Sequence, residues 1–328
     1  MKPVIAITAG DFNGIGPELA LKAATHSAIK KICSPLLVGP LVVFEHVRSS
    51  LRISVKLQKA AAMLPRGNVL PVVDVGDGIA ADIQYGSPTK ASGKSAGAAL
   101  ENAVKLCLDG KAEAMVTAPV SKEGLHLAGY NFPGQTEMIA LFTRSHQVAM
   151  MLVSNVMRVG LVTIHVPLKE VADRITKDKV VEKINIVHAS LRRDFGIKKP
   201  SLAILGLNPH AGEHGDIGDE EISSIQPAIE DARALGISIQ GPFSADAFFG
   251  TKSFEKFDGI IAMYHDQGLI PLKMSSFGKG VNFSAGLSIV RTSPDHGTAY
   301  EIAGKGTARL ESMLEAVKLA ITISSRRK

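Results

Sequence analysis

The stretch Gly259-Ile260-Ile261-Ala262-Met263-Tyr264-His265-Asp266-Gln267-Gly268-Leu269-Ile270-Pro271-Leu272-Lys273 changes character partway along. Its first five residues form a short apolar run that reads as a buried strand, and a histidine, a carboxylate and a lysine follow. In open α/β sheets, ligands bind beyond the carboxyl ends of the strands. Two more histidines occupy comparable places. His165 follows the apolar run from Val159 to Ile164, and His210 follows the run from Leu202 to Leu207. Imidazole is a common ligand for borderline divalent metals, and three such ligands with an open position make a catalytic rather than a structural site. Local spacing cannot test ligands so far apart, and a single strand-end histidine is more often a hydrogen-bonded cap. Asp246 and Asp266 are candidate supporting carboxylates; their alternative role is turn formation.

Working outward, Val4 to Ala9 reads as a first strand that runs into Gly10-Asp11-Phe12-Asn13-Gly14-Ile15-Gly16-Pro17-Glu18 and then a helix. The glycines match neither G-x-G-x-x-G nor a P-loop, so spacing favours a structural turn over a phosphate cradle. A strand at Leu36–Gly39 and a helix near Val42–Ser50 come next. Residues 51–75 look strand- and loop-like, punctuated by Pro65, Gly67 and Pro71. Ser92-Gly93-Lys94-Ser95-Ala96-Gly97 leads into a helix ending near Leu108; it lacks the strand and upstream glycine of a phosphate loop. Ala114 to Lys122 reads as a strand entering a polar turn. Phe132-Pro133-Gly134-Gln135-Thr136-Glu137 is a turn before a helix, whose free N–H groups and Thr136 hydroxyl suit either an anion or simple capping. A charged helix is expected over about Lys169–Phe195, and a closing amphipathic helix over Glu311–Ile323. The βαβα rhythm specifies an α/β fold with a mostly parallel sheet, and 328 residues suit two domains sharing a cleft.

Composition narrows the function. Tryptophan is absent and aromatics are 5%, which leaves little for base stacking, so no nucleic-acid partner is expected. The formal charge of +6 is modest, and its one dense run, Arg326-Arg327-Lys328, reads as a solvated tail. Cys33 and Cys107 lack ligand spacing and read as buried thiols. With no charged leader and no membrane-length apolar run, a soluble cytoplasmic protein without a membrane partner is expected. A second functional set is cationic: Lys273, Arg291 and Lys122, with Asn282 as a neutral donor. Arginine's planar fork suits bidentate capture of phosphate or carboxylate.

Taken together, these stretches resemble the 4-hydroxythreonine-4-phosphate dehydrogenase family of vitamin B6 synthesis over essentially the whole chain. The resemblance rests on Gly10–Glu18, Thr117–Lys122, Gly134–Glu137, His165–Leu168, Asn208–Glu213, Tyr264–Lys273 and Arg291–Ala299. The opening loop and the stretch His296-Gly297-Thr298-Ala299 followed by Ile302–Lys305 are also similar to the wider isocitrate/isopropylmalate dehydrogenase superfamily. That similarity implies two α/β/α domains around a central cleft: residues 1–125 plus 275–328 form one, and 126–274 form the other and make the dimer contact.

The resemblance further implies a metal site of His165, His210 and His265 at a homodimer interface, holding zinc in preference to magnesium or cobalt. Substrate contacts fall on Gln135, Thr136, Lys273, Asn282 and Arg291. NAD, with NADP as an alternative, falls near His296, Gly297, Thr298 and Ala299. Asp246, Asp266 and Lys273 make up the catalytic set, and the two aspartates are candidate proton acceptors. The implied reaction is metal-assisted oxidation and decarboxylation of 4-phosphooxy-L-threonine to 3-amino-2-oxopropyl phosphate. Two departures stand out. The family carries histidine where this chain has Gln135, and Pro-Ala where it has Phe12-Asn13. Gln135 keeps open another phosphorylated hydroxy acid, such as 4-phosphoerythronate or phosphothreonate, or a diol dicarboxylate. A three-histidine metallohydrolase is a further alternative, and it leaves the His-Gly-Thr-Ala stretch unexplained.

Overall fold

A computed structural model describes residues 2–60, 69–76 and 82–328, so Pro65 and Gly67 lie outside the described residues. Among the described residues there are twelve strands: β1 (Val4–Thr8), β2 (Ser34–Val38), β3 (Lys56–Lys59), β4 (Val69–Val73), β5 (Ala114–Val116), β6 (Ala149–Val153), β7 (Arg158–Leu161), β8 (Ser201–Leu205), β9 (Ser238–Phe243), β10 (Gly259–Ala262), β11 (Val281–Ala285) and β12 (Arg291–Pro294). The chain divides into two compact units, Met1–His146 with Leu287–Ser325 and Gln147–Gly286 with Arg326–Lys328. Sequence reading had drawn these divisions at 125/126 and 274/275.

In the first unit the strands run β3-β4-β2-β1-β5-β12, all pairs parallel. Ile5, Ala6 and Ile7 on consecutive positions of β1 are all fully buried. Continuous rather than alternating burial is what a parallel strand covered on both faces requires. The helix Gly16–Thr25 starts on Pro17, and Glu18 accepts hydrogen bonds from Lys22 Nζ (2.6 Å) and the Ala308 N–H (3.1 Å). The run Ser92–Gly97 lies inside the helix Lys90–Leu108, which a Thr89–Ser92 capping box opens. A Cβ on Gly93 would lie 1.7 Å from Gly124 O, so this glycine lets two backbones pack closely.

The second unit orders its strands β11-β6-β7-β10-β8-β9. β7, β10, β8 and β9 are mutually parallel, whereas β6 pairs antiparallel with both β11 and β7. Val159, Leu161, Ala203, Leu205, Ile260 and Ala262 pack in one core with Phe248, Leu269 and Leu272. The expected long helix over Lys169–Phe195 is broken into a 3-10 turn (Leu168–Glu170), a short helix (Val171–Arg174) and Lys177–Arg193. Thr176 causes the restart, because its hydroxyl accepts from the Lys179 N–H and caps the final piece.

Arg326-Arg327-Lys328 is not a solvated tail. Arg327 Nε pairs with Asp194 Oδ1 at 2.7 Å, its own side chain 13% exposed and that of Asp194 fully buried. Arg193 Nε (2.9 Å) and Ser190 Oγ (2.8 Å) also donate to this carboxylate. The buried acceptor fixes the terminal residues, which composition alone does not reveal. Both cysteines are free, and burial pushes each thiol up to about 12.

Burial alone would raise the Asp194 pKa, but the hydrogen bonds from Arg327 and Arg193 outweigh it and hold the carboxyl below its ordinary value. Its contribution to stability is therefore present above 3.8, the unfolded value, and is lost as pH falls through the folded one. Replacing Asp194→Ala should cost about 3 kcal/mol in urea unfolding at neutral pH and flatten the acid limb of the stability profile. An unchanged acid limb would contradict this account.

Candidate functional site

Three histidines are carried to one end of the second unit's parallel strands. β10 lies between β7 and β8, and His165, His265 and His210 follow the carboxyl ends of these three strands. Two hydrogen-bond sets hold those ends together. Thr163 donates to Met263 O through both its N–H (3.1 Å) and its hydroxyl (2.7 Å). Gln267 accepts from the Met263 N–H (2.7 Å) and donates to Gly206 O (2.6 Å). Both side chains are buried, so each bond satisfies a strand-end group that water does not reach. Sequence reading assigned neither residue a role.

Tyr264–Lys273 is mostly helix, not a polar loop: a helix spans His265–Ser276, with His265 in its first turn. Gly268 allows this helix to approach the sheet, since a Cβ there would lie 2.9 Å from Val159 Cγ1. The His265 and His165 rings have centroids 5.7 Å apart. His265 Nδ1 contacts Asp266 Oδ1 at 2.7 Å, an arrangement that orients the ring and leaves Nε2 for another partner. Asp246 is hydrogen-bonded by the Ser244 hydroxyl and the Ala247 N–H and also feels the charge of His210; together these lower its carboxyl pKa below the ordinary value. His265 thus has a carboxylate in direct contact, and His210 one within electrostatic reach. Among the described residues, no group of three His, Cys, Asp or Glu side chains is arranged to hold a metal ion. The donor chemistry suits a divalent metal, with the His165–His265 pair together and His210 on the adjacent strand end.

His210 sits in an unusual turn. Residues 210–214 have φ values of 52, 54, 79, 44 and 62°, and only Gly212 of the five is a glycine. Left-handed conformation costs a side-chain-bearing residue about 1–2 kcal/mol, so the surroundings must enforce it. Lys273, on the His265–Ser276 helix, and Asn282, on β11, also belong to this unit; Lys273 is exposed, and Asn282 Oδ1 is buried without a hydrogen-bond partner.

The remaining predicted residues lie in the first unit. Arg291, the first residue of β12, is 1% exposed. Its Nε and Nη2 donate to Thr117 Oγ1 at 3.0 and 2.7 Å, and its Nη1 to Thr136 Oγ1 at 3.4 Å. Burial lowers the guanidinium pKa to about 10, with the Glu137 charge opposing, so it stays protonated at neutral pH. Thr136 lies in the first turn of the helix Gln135–Phe142, whose N-cap, Gly134, supplies no side-chain cap. Beside it, Gln135 Oε1 is buried without a hydrogen-bond partner. Sequence analysis had left Thr117 without a role. Lys122 is exposed at the start of the helix Lys122–Leu127 and joins none of these contacts.

The glycine-rich opening loop packs on the predicted cofactor stretch. Ile15 N–H donates to Thr298 O at 3.0 Å, and a Cβ on Gly14 would lie 2.7 Å from that oxygen. Asp11, fully buried, accepts from Tyr300 OH (2.9 Å) and Ser92 Oγ (3.1 Å), and burial raises its carboxyl pKa. Asn13 is a structural anchor. It donates to Ser87 O (2.9 Å) and Thr89 Oγ1 (3.2 Å), and accepts from the Gln84 N–H (2.8 Å). These glycines serve close backbone packing, as a structural turn would.

The comparisons agree on a family. The family model for pyridoxal phosphate biosynthetic protein PdxA matches residues 31–320. The chain is 42% identical over 333 residues to the 4-hydroxythreonine-4-phosphate dehydrogenase of Trichlorobacter lovleyi, with 99% of each chain covered. It is 44% identical over 319 residues to that of Chromobacterium violaceum, covering 97% of this chain and 96% of that one. A crystal structure of the Klebsiella pneumoniae 4-hydroxythreonine-4-phosphate dehydrogenase superposes with a TM-score of 0.87 at 35% identity, covering 99% and 98%. A terephthalate 1,2-cis-dihydrodiol dehydrogenase from Burkholderia xenovorans gives 0.64 at 26% identity, covering 98% of both. The fold is thus that of the isocitrate/isopropylmalate dehydrogenase-like superfamily, and the protein is an oxidoreductase. Within that class the chain belongs to the pyridoxal phosphate biosynthetic protein PdxA family. This family implies a nicotinamide cofactor and a divalent metal. Among the described residues, no helix is long and apolar enough to cross a membrane.

Thr117→Val keeps the volume of the side chain but removes the acceptor shared by two Arg291 donors. Stranding buried donors costs about 1–3 kcal/mol. We expect a matching loss in urea unfolding and about tenfold weaker binding of inorganic phosphate by calorimetry; wild-type values for both would remove Thr117 from the site.

Proposed function

We propose that the protein oxidises the secondary alcohol of 4-phosphooxy-L-threonine with NAD and that the resulting β-keto acid loses carbon dioxide, yielding 3-amino-2-oxopropyl phosphate for pyridoxal phosphate synthesis. The observation that carries the phosphate assignment is the buried Arg291 guanidinium, directed at Thr136 in an uncapped helix turn. A guanidinium, a hydroxyl and free helix N–H groups favour a multiply charged oxyanion. Lys273 anchors a second anionic group of the substrate, and Asn282 and Gln135 supply neutral hydrogen bonds.

His165, His210 and His265 would hold the divalent metal, zinc in preference to magnesium or cobalt, in a homodimer whose two subunits share the ligand set; one chain then carries only part of it. When bound, such an ion supplies Lewis acidity and keeps its double charge, because neutral imidazoles add none. Asp266, in contact with His265 Nδ1, is suited to orienting that ring, and Asp246 and Asp266 are the candidate acceptors of the substrate proton. The dinucleotide, NAD or alternatively NADP, supplies the hydride acceptor, and His296, Gly297, Thr298 and Ala299 would contact it. Thr298 is held for that task by the opening loop.

Gln135 supports a second reading. Its buried oxygen, without a partner among the described residues, can accept a hydrogen bond from a ligand, and the side chain carries no positive charge, unlike the histidine of the family pattern. A substrate offering a hydroxyl there, such as 4-phosphoerythronate or phosphothreonate, fits this feature. The similarity to a diol dehydrogenase keeps a cyclic diol dicarboxylate in the same class. A substrate panel followed by NADH absorbance separates the readings. With zinc-loaded protein, 4-phosphooxy-L-threonine should give the highest kcat/KM. No NADH from it, alongside turnover of 4-phosphoerythronate, would overturn the first reading in favour of the second.

A further inference from the structure

We propose that Glu221 is the positioning residue for His210, fixing through Asn208 the left-handed turn that presents this imidazole. This rests on the reading of His210 as a metal ligand. β8 ends at Leu205, so the N–H groups of Leu207 and Asn208 have left the sheet. Glu221 Oε1 takes both, at 2.6 and 2.8 Å, while its Oε2 accepts from Asn208 Nδ2 at 2.9 Å. The same Asn208 nitrogen reaches Glu220 Oε2 at 2.6 Å. The Glu221 carboxylate is 3% exposed, and it opens a π-helical turn, Glu221–Ile225. Extra-residue turns of this kind recur at functional sites.

The packing leaves the turn little room to relax. A Cβ on Gly206 would lie 2.9 Å from Glu221 Oε1, one on Gly212 2.7 Å from Glu221 Oε2, and one on Gly218 2.5 Å from Asn208 Nδ2. Three glycines therefore crowd the two clamping side chains. Pro209 follows Asn208, has no N–H and restricts the backbone before it. The carboxylate thus replaces two missing ladder bonds just upstream of the imidazole, and the four side-chain-bearing residues at positive φ depend on it. A buried glutamate needed only for helix capping would not bond the backbone two and three residues before a candidate ligand.

The test measures Zn2+ affinity by competition with a chromophoric chelator, together with amide hydrogen exchange of the metal-free protein. His210→Ala sets the scale of losing the ligand itself. Glu221→Gln keeps the shape but turns one acceptor into a donor facing Asn208. We expect its zinc affinity to fall about 10–100-fold, the range found for groups that orient metal-binding histidines. Exchange at residues 207–214 should rise, while far-UV circular dichroism stays that of the wild type. Asn208→Ala, which leaves the two backbone bonds to Glu221 in place, should give a smaller loss in the same direction and covers the case in which Glu221→Gln does not fold. Wild-type zinc affinity in a folded Glu221→Gln variant, with His210→Ala weakened, overturns the positioning role alone. Wild-type affinity in His210→Ala overturns the ligand reading, and the positioning role with it.

Discussion

The side-chain hydrogen bonds at the carboxyl ends of β7, β10 and β8 are the constraint on which the second unit's chemistry depends. Thr163 ties the first end to the second at Met263 O, and Gln267 ties the second to the third at Gly206 O. The backbone bond from the Thr163 N–H to Met263 O carries the β7–β10 pairing to the same point; the Thr163 hydroxyl reinforces it, and the Gln267 side chain extends the connection to the end of β8. Each bond lies in a buried setting where a lost partner is costly and a made one is geometrically exacting. The histidines inherit their proximity from this lashing rather than from one another. His165 and His265 are neighbours because Thr163 and Met263 are.

The first unit solves a different problem with different means. Its glycines let the opening loop lie against Thr298 and Pro119, and two of its buried charged groups have internal partners: Asp11 with Tyr300 and Ser92, Arg291 with Thr117. Asn13 has a structural role in this unit. Its side chain fastens residues 84–89 next to the capping box of the Lys90–Leu108 helix. Gln135 is the contrasting case, where a substitution leaves a buried oxygen without an internal partner.

Much of this was legible in the sequence because apolar runs and the residues that follow them are local signals. The runs before His165, His210 and His265 predicted strand ends, and the ends are adjacent. The strand beginning at Val4 and the helix near residues 42–50 were equally plain. What escaped reading depends on partners far along the chain. Gln267 meets Gly206 across 61 residues, and Arg291 meets Thr117 across 174; no spacing rule links either pair. Glu221 bonds the backbone of Leu207 and Asn208 across 14 and 13 residues, a pairing that no local pattern announces. The terminal arginines misled for the same reason, since the buried carboxylate that holds Arg327 lies 133 residues earlier. The broken helix after Leu168 was a local miss, because Thr176 is a capping residue in plain view.

The burial of Arg291 has a consequence for how an anion is discriminated. A guanidinium at the surface is hydrated and screened, so it takes whatever anion is abundant, and added salt weakens its hold. This one gave up its water when the chain folded, and it keeps its proton at neutral pH despite that. Its Nε and Nη2 donate to the Thr117 hydroxyl and its Nη1 to the Thr136 hydroxyl, so an oxyanion bound as proposed would meet the guanidinium beside the first turn of the Gln135–Phe142 helix. Under the proposed assignment selection would fall to shape: a tetrahedral oxyanion able to engage the guanidinium, a threonine hydroxyl and a helix turn together would be favoured over a small spherical ion that satisfies only one of them.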